Sequence, residues 1–201
     1  MKRYMFCVVF FVFTFGIVGI SVADTINFDD AITGDISALT NPYKGFNWYR
    51  WDYDDSQWYA MRVLKDDWYY ATYNCDSLVF PSIEYVAYGE GGGASLPAKI
   101  RIEKVSGTFT FVSAKFARYC HTEVGADYVT VTSSAGHSQN IASLSQTSFK
   151  TGTFNWEGLT WIQIEGHGDY HLERLFLFDD FVFSAPSTAN PGQNLLLLDN
   201  N

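Results

Sequence analysis

Apolar and polar residues alternate along much of this chain with a period of two. That spacing turns one side of a strand to a core and the other to solvent. Ile100-Arg-Ile-Glu-Lys-Val105 and Asp127-Tyr-Val-Thr-Val-Thr132 alternate in this way, and Gly107-Thr-Phe-Thr-Phe111 runs on through Val112 toward Tyr119. In Leu159-Thr-Trp-Ile-Gln-Ile-Glu165, Ile162 and Ile164 fall on one face, and Trp161, Gln163 and Glu165 on the other. Leu172–Phe183 is apolar on both faces, as a central or terminally covered strand would be. Ile26-Asn-Phe28 is a short opening strand. Gly89-Glu-Gly-Gly-Gly93, Ser133-Ser-Ala-Gly136 and Gly166-His-Gly168 read as turns. No segment keeps a three-to-four-residue apolar period over three turns. Many short strands divided by glycine turns predict an all-β protein, an antiparallel β-sandwich or barrel.

The N-terminus breaks this pattern. Lys2-Arg3, an apolar run over 5–20 and Ser21-Val-Ala23 before Asp24 have the layout of a secretory signal peptide, residues 1–23. Residues 24–184 then form one sandwich domain. From 185 to 201 the Pro-, Asn- and Gly-containing chain reads as a disordered tail. The four leucines at 195–198 are too few to cross a bilayer or to serve as a lipid-anchor signal.

The 201 residues carry a net charge of −9, and loss of 1–23 removes two basic residues and no acidic one. An acidic chain is a poor partner for phosphate backbones, so nucleic acid is not expected. Nothing after residue 23 reaches the roughly 20 apolar residues of a membrane helix. The 47% hydrophobic and 18% aromatic content argues against disorder. Cys7 leaves with the signal, and Cys75 and Cys120 remain. In an oxidising compartment two leftover cysteines are expected to pair, a link of roughly 3–4 kcal/mol in the chain-entropy model. Two buried free thiols are the alternative. No Asn-x-Ser/Thr occurs, so N-glycosylation is not expected.

Two segments at the ends of the domain match each other in kind: Thr25-Ile-Asn-Phe-Asp-Asp30 and Leu177-Phe-Asp-Asp-Phe-Val-Phe183. With Tyr43-Lys-Gly-Phe-Asn-Trp48, Gly107–Phe111 and Asn155-Trp-Glu-Gly-Leu159, they resemble secreted jelly-roll, galactose-binding-like sandwiches, among them many carbohydrate-binding modules. The resemblance implies jelly-roll topology with paired first and last strands. It also implies a structural Ca²⁺ where the acidic ends meet, with Asp29 and Asp179 as ligands. Strict alternation puts Asp179 on the face of Leu177, Phe181 and Phe183, where a bare carboxylate is costly and a hard cation would satisfy it. Backbone N–H bonds to Asp179 are the alternative.

The densest chemistry lies in Phe46-Asn-Trp-Tyr-Arg-Trp-Asp-Tyr-Asp-Asp-Ser-Gln-Trp-Tyr59. Sugars present flat C–H faces that lie on aromatic rings, and hydroxyls that need amide, carboxylate or guanidinium partners. Trp48, Trp51, Tyr53, Trp58 and Tyr59 are the expected ring contacts, with Arg50 and Asp52 as polar partners. Alternation places Trp48 and Arg50 on one side and Tyr49, Trp51 and Tyr53 on the other, so about half of the pool should be buried. Trp161 is a second candidate ring.

His167-Gly-Asp-Tyr-His171 has a metal-like spacing, but its glycines make it a loop and no third ligand is evident. His137, in a turn, should be exposed. No Gly-x-Ser-x-Gly elbow occurs, and Gly89–Gly93 lacks the Gly-Lys-Ser/Thr of a phosphate loop. With 22 acidic residues, a carboxylate pair can be drawn anywhere. The sequence therefore points to a secreted, non-catalytic protein that binds a glycan or cell-surface polymer. An extracellular protein-interaction module and a glycan-active enzyme on a jelly roll are the rival readings.

Overall fold

The computed structural model describes residues 22–31, 34–52, 57–65, 85–89, 97–119, 125–168 and 174–186, all within the compact unit Ser21–Pro186. Residues 1–21 of the expected signal segment, residues 187–201 of the expected tail, Cys75 and Cys120 lie outside the described residues. The first strands are β1 (Ala23–Ile26), β2 (Ile36–Ala38), β3 (Phe46–Asp52), β4 (Gln57–Ala60), β5 (Arg62–Lys65), β6 (Tyr85–Gly89) and β7 (Lys99–Lys104). They are followed by β8 (Phe109–Arg118), β9 (Tyr128–Ser133), β10 (Ser138–Ile141), β11 (Lys150–Leu159), β12 (Trp161–His167) and β13 (Phe176–Ser184).

These strands make two antiparallel sheets. One has the order β11-β8-β13-β6-β5-β2, with β1 also on β13, and the other the order β10-β9-β12-β7-β3-β4. From β6 onward the chain crosses between the sheets at nearly every connection, giving a jelly-roll sandwich. First and last strands pair, from Ala23↔Ser184 to Ile26↔Phe181. β6 takes Phe176–Phe178 of β13, so β6 and β1 lie end to end along one flank of it. β13, apolar on both faces in sequence, is thus a central strand.

The core fills the space between the sheets. Ile100, Ile102, Ile162, Ile164, Val129 and Val131 reach it from the six-stranded sheet. Phe46 stands edge-on to Phe109 at 5.1 Å and to Phe181 at 5.4 Å. Trp48 stacks on Phe178 at 6.3 Å and meets Phe28 and Phe181 edge-on. Its indole N–H donates to Tyr43 O at 3.0 Å, and its backbone N–H and C=O both bond the Asn41 side-chain amide. A buried Trp with its N–H satisfied is a large apolar contribution with no polar cost.

Alternation on β13 is interrupted. Its pairing with β8 runs Asp179↔Lys115, Val182↔Ser113, Phe183↔Phe111, so β13 carries an extra residue first and β8 one just after. Asp180, in the first irregular step, has φ 46. Phe178 and Phe181 consequently both reach Trp48, three positions apart. This corrects the expected face of Asp179: it alternates with Phe178 and does not share the side of Phe181 and Phe183. β11 breaks step at the same level, with irregularities between Thr153 and Trp156 and between Trp156 and Leu159. Asn155 (φ 54) and Gly158 (φ 69) supply the left-handed residues there, types that tolerate that conformation.

Gly166 is buried on β12, and a Cβ there would lie 2.1 Å from Arg174 O and 3.0 Å from Phe176 Cδ1. The nearest atom is backbone and cannot swing away. Gly166→Ala is expected to cost at least about 1–3 kcal/mol, seen as a lower urea midpoint with an unchanged slope. An unchanged midpoint would show that β12 and the segment before β13 are not packed this closely.

Candidate functional site

Directly opposed residues of paired strands share a face, so the outer surface of the six-stranded sheet follows from the register. Ser138, Thr132, Gln163, Arg101, Tyr49 and Ala60 form one row across β10, β9, β12, β7, β3 and β4. Beside it run Trp161, Glu103 and Asn47 on β12, β7 and β3. Thr130, Glu165 and Lys99 form a third row. At the edge Trp51 opposes Trp58, their rings 5.1 Å apart and inclined at 71°.

Tyr49, Trp58, Arg101 and Glu103 line a cavity of about 360 Å³ on this face. Arg101 is fixed from two sides. Its Nε is 2.8 Å from Glu103 Oε1, and its guanidinium lies 4.4 Å from the centroid of Trp161, a cation–π contact. Lys99 pairs with Glu165 at 3.1 Å. The cavity thus combines two aromatic walls with a planar hydrogen-bond donor and a carboxylate acceptor.

The expected ring pool divides between faces. Trp48 is 0% exposed and is removed from the surface set, because the Phe28, Phe46, Phe178 and Phe181 rings enclose it. Arg50 and Tyr59 are cross-strand partners on the Trp48 side of β3 and β4. There the guanidinium stands 5.5 Å from the Tyr59 ring and Gln57 Nε2 bonds the Tyr59 hydroxyl. Trp51 and Trp58 lie on the outer face. Asp52 opposes Gln57 at the end of the β3–β4 pairing, and Tyr53 lies outside the described residues. Most of the 46–59 stretch is therefore a pair of antiparallel strands, β3 and β4. Tyr49, Arg101 and Glu103 line the cavity but were not among the expected contacts. Alternation in Ile100–Val105 had set Arg101 and Glu103 opposite the isoleucines, but which strands lie beside them is not written in that segment.

The acidic ends meet around Tyr43. Its hydroxyl is 3.0 Å from Asn27 O and also bonds Asp30 Oδ1, while Lys44 Nζ reaches Asp30 Oδ2 at 2.6 Å. The bonds from Lys44 and Tyr43 hold the Asp30 carboxyl below its ordinary pKa. Burial, then Asp30, and then the charges of Asp29 and Asp179 push the Tyr43 phenol well above its own. Asp179 is fully buried, and its Oδ1 accepts the Asp180 N–H at 2.7 Å. Among the described residues no three His, Cys, Asp or Glu side chains converge as metal ligands. Calcium with Asp29 and Asp179 as ligands rests on the resemblance and on the burial of the Asp179 carboxylate. His171 lies outside the described residues. His167 stacks on Tyr128 at 4.8 Å, and exposed His137 stacks on Trp156 at 5.1 Å.

No family model matches the chain, and no curated protein matches it. Among solved structures it is similar to the K3 cleaved adhesin domain of Lys-gingipain from Porphyromonas gingivalis W83. That match has 8% identity and a TM-score of 0.40, over 82% of this chain and 99% of that one. An F5/8 type C domain from Bacteroides fragilis gives 9% and 0.37, over 74% and 99%. An arabinose-bound α-L-arabinofuranosidase gives 13% and 0.38, over 75% of this chain and 23% of that one. Likeness at these TM-scores carries no argument about function, and the sandwich stands on the strand pairings above.

Burial lowers the pKa of His167, an effect that Glu165 opposes and that Arg174 and Lys99 reinforce. The unfolded chain therefore binds this proton more readily. The stability it contributes is fully present above about pH 6.5 and is lost as pH falls through the lower folded value. His167→Phe keeps a ring on Tyr128 without the titration. Its melting temperature should drop less than that of the wild type between pH 7 and pH 5; equal drops would refute the assignment.

Proposed function

We propose that this protein is a secreted, non-catalytic binding module. Its ligand is a glycan or a glycan-bearing cell-surface polymer, held on the outer face of the six-stranded sheet. The observation that carries this reading is the cavity lined by Tyr49, Trp58, Arg101 and Glu103. Its volume lies in the range of small-molecule sites, and such sites join apolar walls to a few oriented polar groups. Sugars need that mixture, with C–H faces against the rings and hydroxyls against guanidinium and carboxylate. Release by way of the 1–23 segment would place the module outside the cell. Contacts of this kind give micromolar to millimolar affinity, roughly −4 to −8 kcal/mol.

Tryptophan fluorescence during titration with a broad panel of soluble oligosaccharides tests the proposal. At least one sugar should shift the emission. Trp58→Ala and Arg101→Ala should each weaken that sugar by about tenfold or more, equivalent to 1.4 kcal/mol, with the melting curve still cooperative. Trp156→Ala, on the other sheet, should leave the affinity unchanged. No shift across the panel would overturn the reading, and so would variants that alter stability alone.

A further inference from the structure

The cavity is one part of a longer surface. We infer that the ligand is a linear, uncharged glycan lying across the strands, along the row from Thr132 through Gln163 and Arg101 to Tyr49. This rests on the glycan reading above and names the ligand class within it.

Three observations carry the inference. The first is direction. The row holds one outward side chain per strand, so its groups repeat at the strand spacing of about 4.8 Å. That is close to the advance of one pyranose residue along an extended chain. Thr132, Gln163, Arg101 and Tyr49 therefore offer a hydroxyl, an amide, a guanidinium and a phenol at intervals matched to successive sugars. A terminal sugar in one pocket would have no use for such a series.

The second is the placing of the rings. Trp161 stands on β12 and Trp58 on β4, with β7 and β3 between them. The register also sets them four residues apart along the strands, since Trp161 lies in the row of Glu103 and Asn47 and Trp58 opposes Trp51. The two rings therefore flank the Thr132–Tyr49 row on opposite sides, and a chain lying in the row passes between them. Arg101, its guanidinium 4.4 Å from the Trp161 ring centroid, continues that aromatic surface toward the cavity. Trp161 thus acts as a positioning residue for the guanidinium.

The third is charge. On this face Arg101 is paired with Glu103 and Lys99 with Glu165. Each cation is matched by a carboxylate in contact with it, so these pairs set up no net positive field for a uronate or sulfate. The chain as a whole is acidic, at −9, and repels a polyanion further.

The test uses the secreted full chain and size-graded cello-, xylo- and manno-oligosaccharides from mono- to hexasaccharide, with oligogalacturonides as the acidic series. Affinity for one neutral series should rise about tenfold or more from the disaccharide to the tetrasaccharide and then level off, with little dependence on salt. Gln163→Ala should abolish that rise while retaining disaccharide binding. If that variant does not fold, Thr132→Ala serves the same purpose at the next position of the row. A monosaccharide bound as tightly as the tetrasaccharide would overturn the track and leave the glycan reading standing. Tighter, salt-sensitive binding of oligogalacturonides would overturn the uncharged ligand. Absence of binding at every length, neutral and acidic, would overturn the proposed function itself.

Discussion

Between Asp179↔Lys115 and Phe183↔Phe111, β13 and β8 each contain one irregular step, and β11 breaks step beside them. On a strict two-residue period Phe178 and Phe181 would point to opposite faces. The irregular step lets both face inward, and Phe116 and Phe111 on β8 are both buried as well. Trp48, Phe46 and Phe28 are enclosed by the rings this arrangement gathers. Register with β8 is recovered by Phe183, while β1 pairs with β13 on its other flank from Phe181 to Ser184. Bulges also bend and twist the strand that carries them. The aromatic core thus depends on three neighbouring strands leaving regular alternation at one level.

The opposite sheet does the reverse. β7, β9 and β12 alternate without interruption, with Ile100, Ile102, Val129, Val131, Ile162 and Ile164 all inward. Slipping a strand by one residue would turn that set to solvent. The same register fixes Arg101 opposite Tyr49 and Gln163. The outer face inherits its geometry from the inner one, which is why the cavity residues can come from strands distant in sequence and still meet.

Regular alternation is also what made part of this molecule legible in advance. β7, β8, β9, β12 and β13 follow from their apolar periodicity, and the outward side of Trp161, Gln163 and Glu165 follows with them. β11 was not recognised as a strand, because Lys150-Thr-Gly-Thr-Phe-Asn-Trp-Glu-Gly-Leu159 loses its period at both irregular steps. β10, Ser138-Gln-Asn-Ile141, has a single apolar residue and no visible pattern. Within the candidate site, interleaved charge pointed to the 46–59 stretch but could not separate Trp48 from Trp51. Their difference lies in which face of β3 meets the other sheet. Tyr49 and Arg101 become neighbours only through the pairing of β3 with β7, a tertiary fact that neither segment contains.

The broken period of β11 has a further effect on how molecules of this protein meet one another. β11 ends the order of its sheet, and an edge strand with a straight row of free backbone groups is a template for strand addition by a second chain. Here the turns of φ at Asn155 and Gly158 interrupt that row twice within ten residues. Along this edge no uninterrupted ladder is on offer. Self-association by sheet extension is disfavoured along that edge.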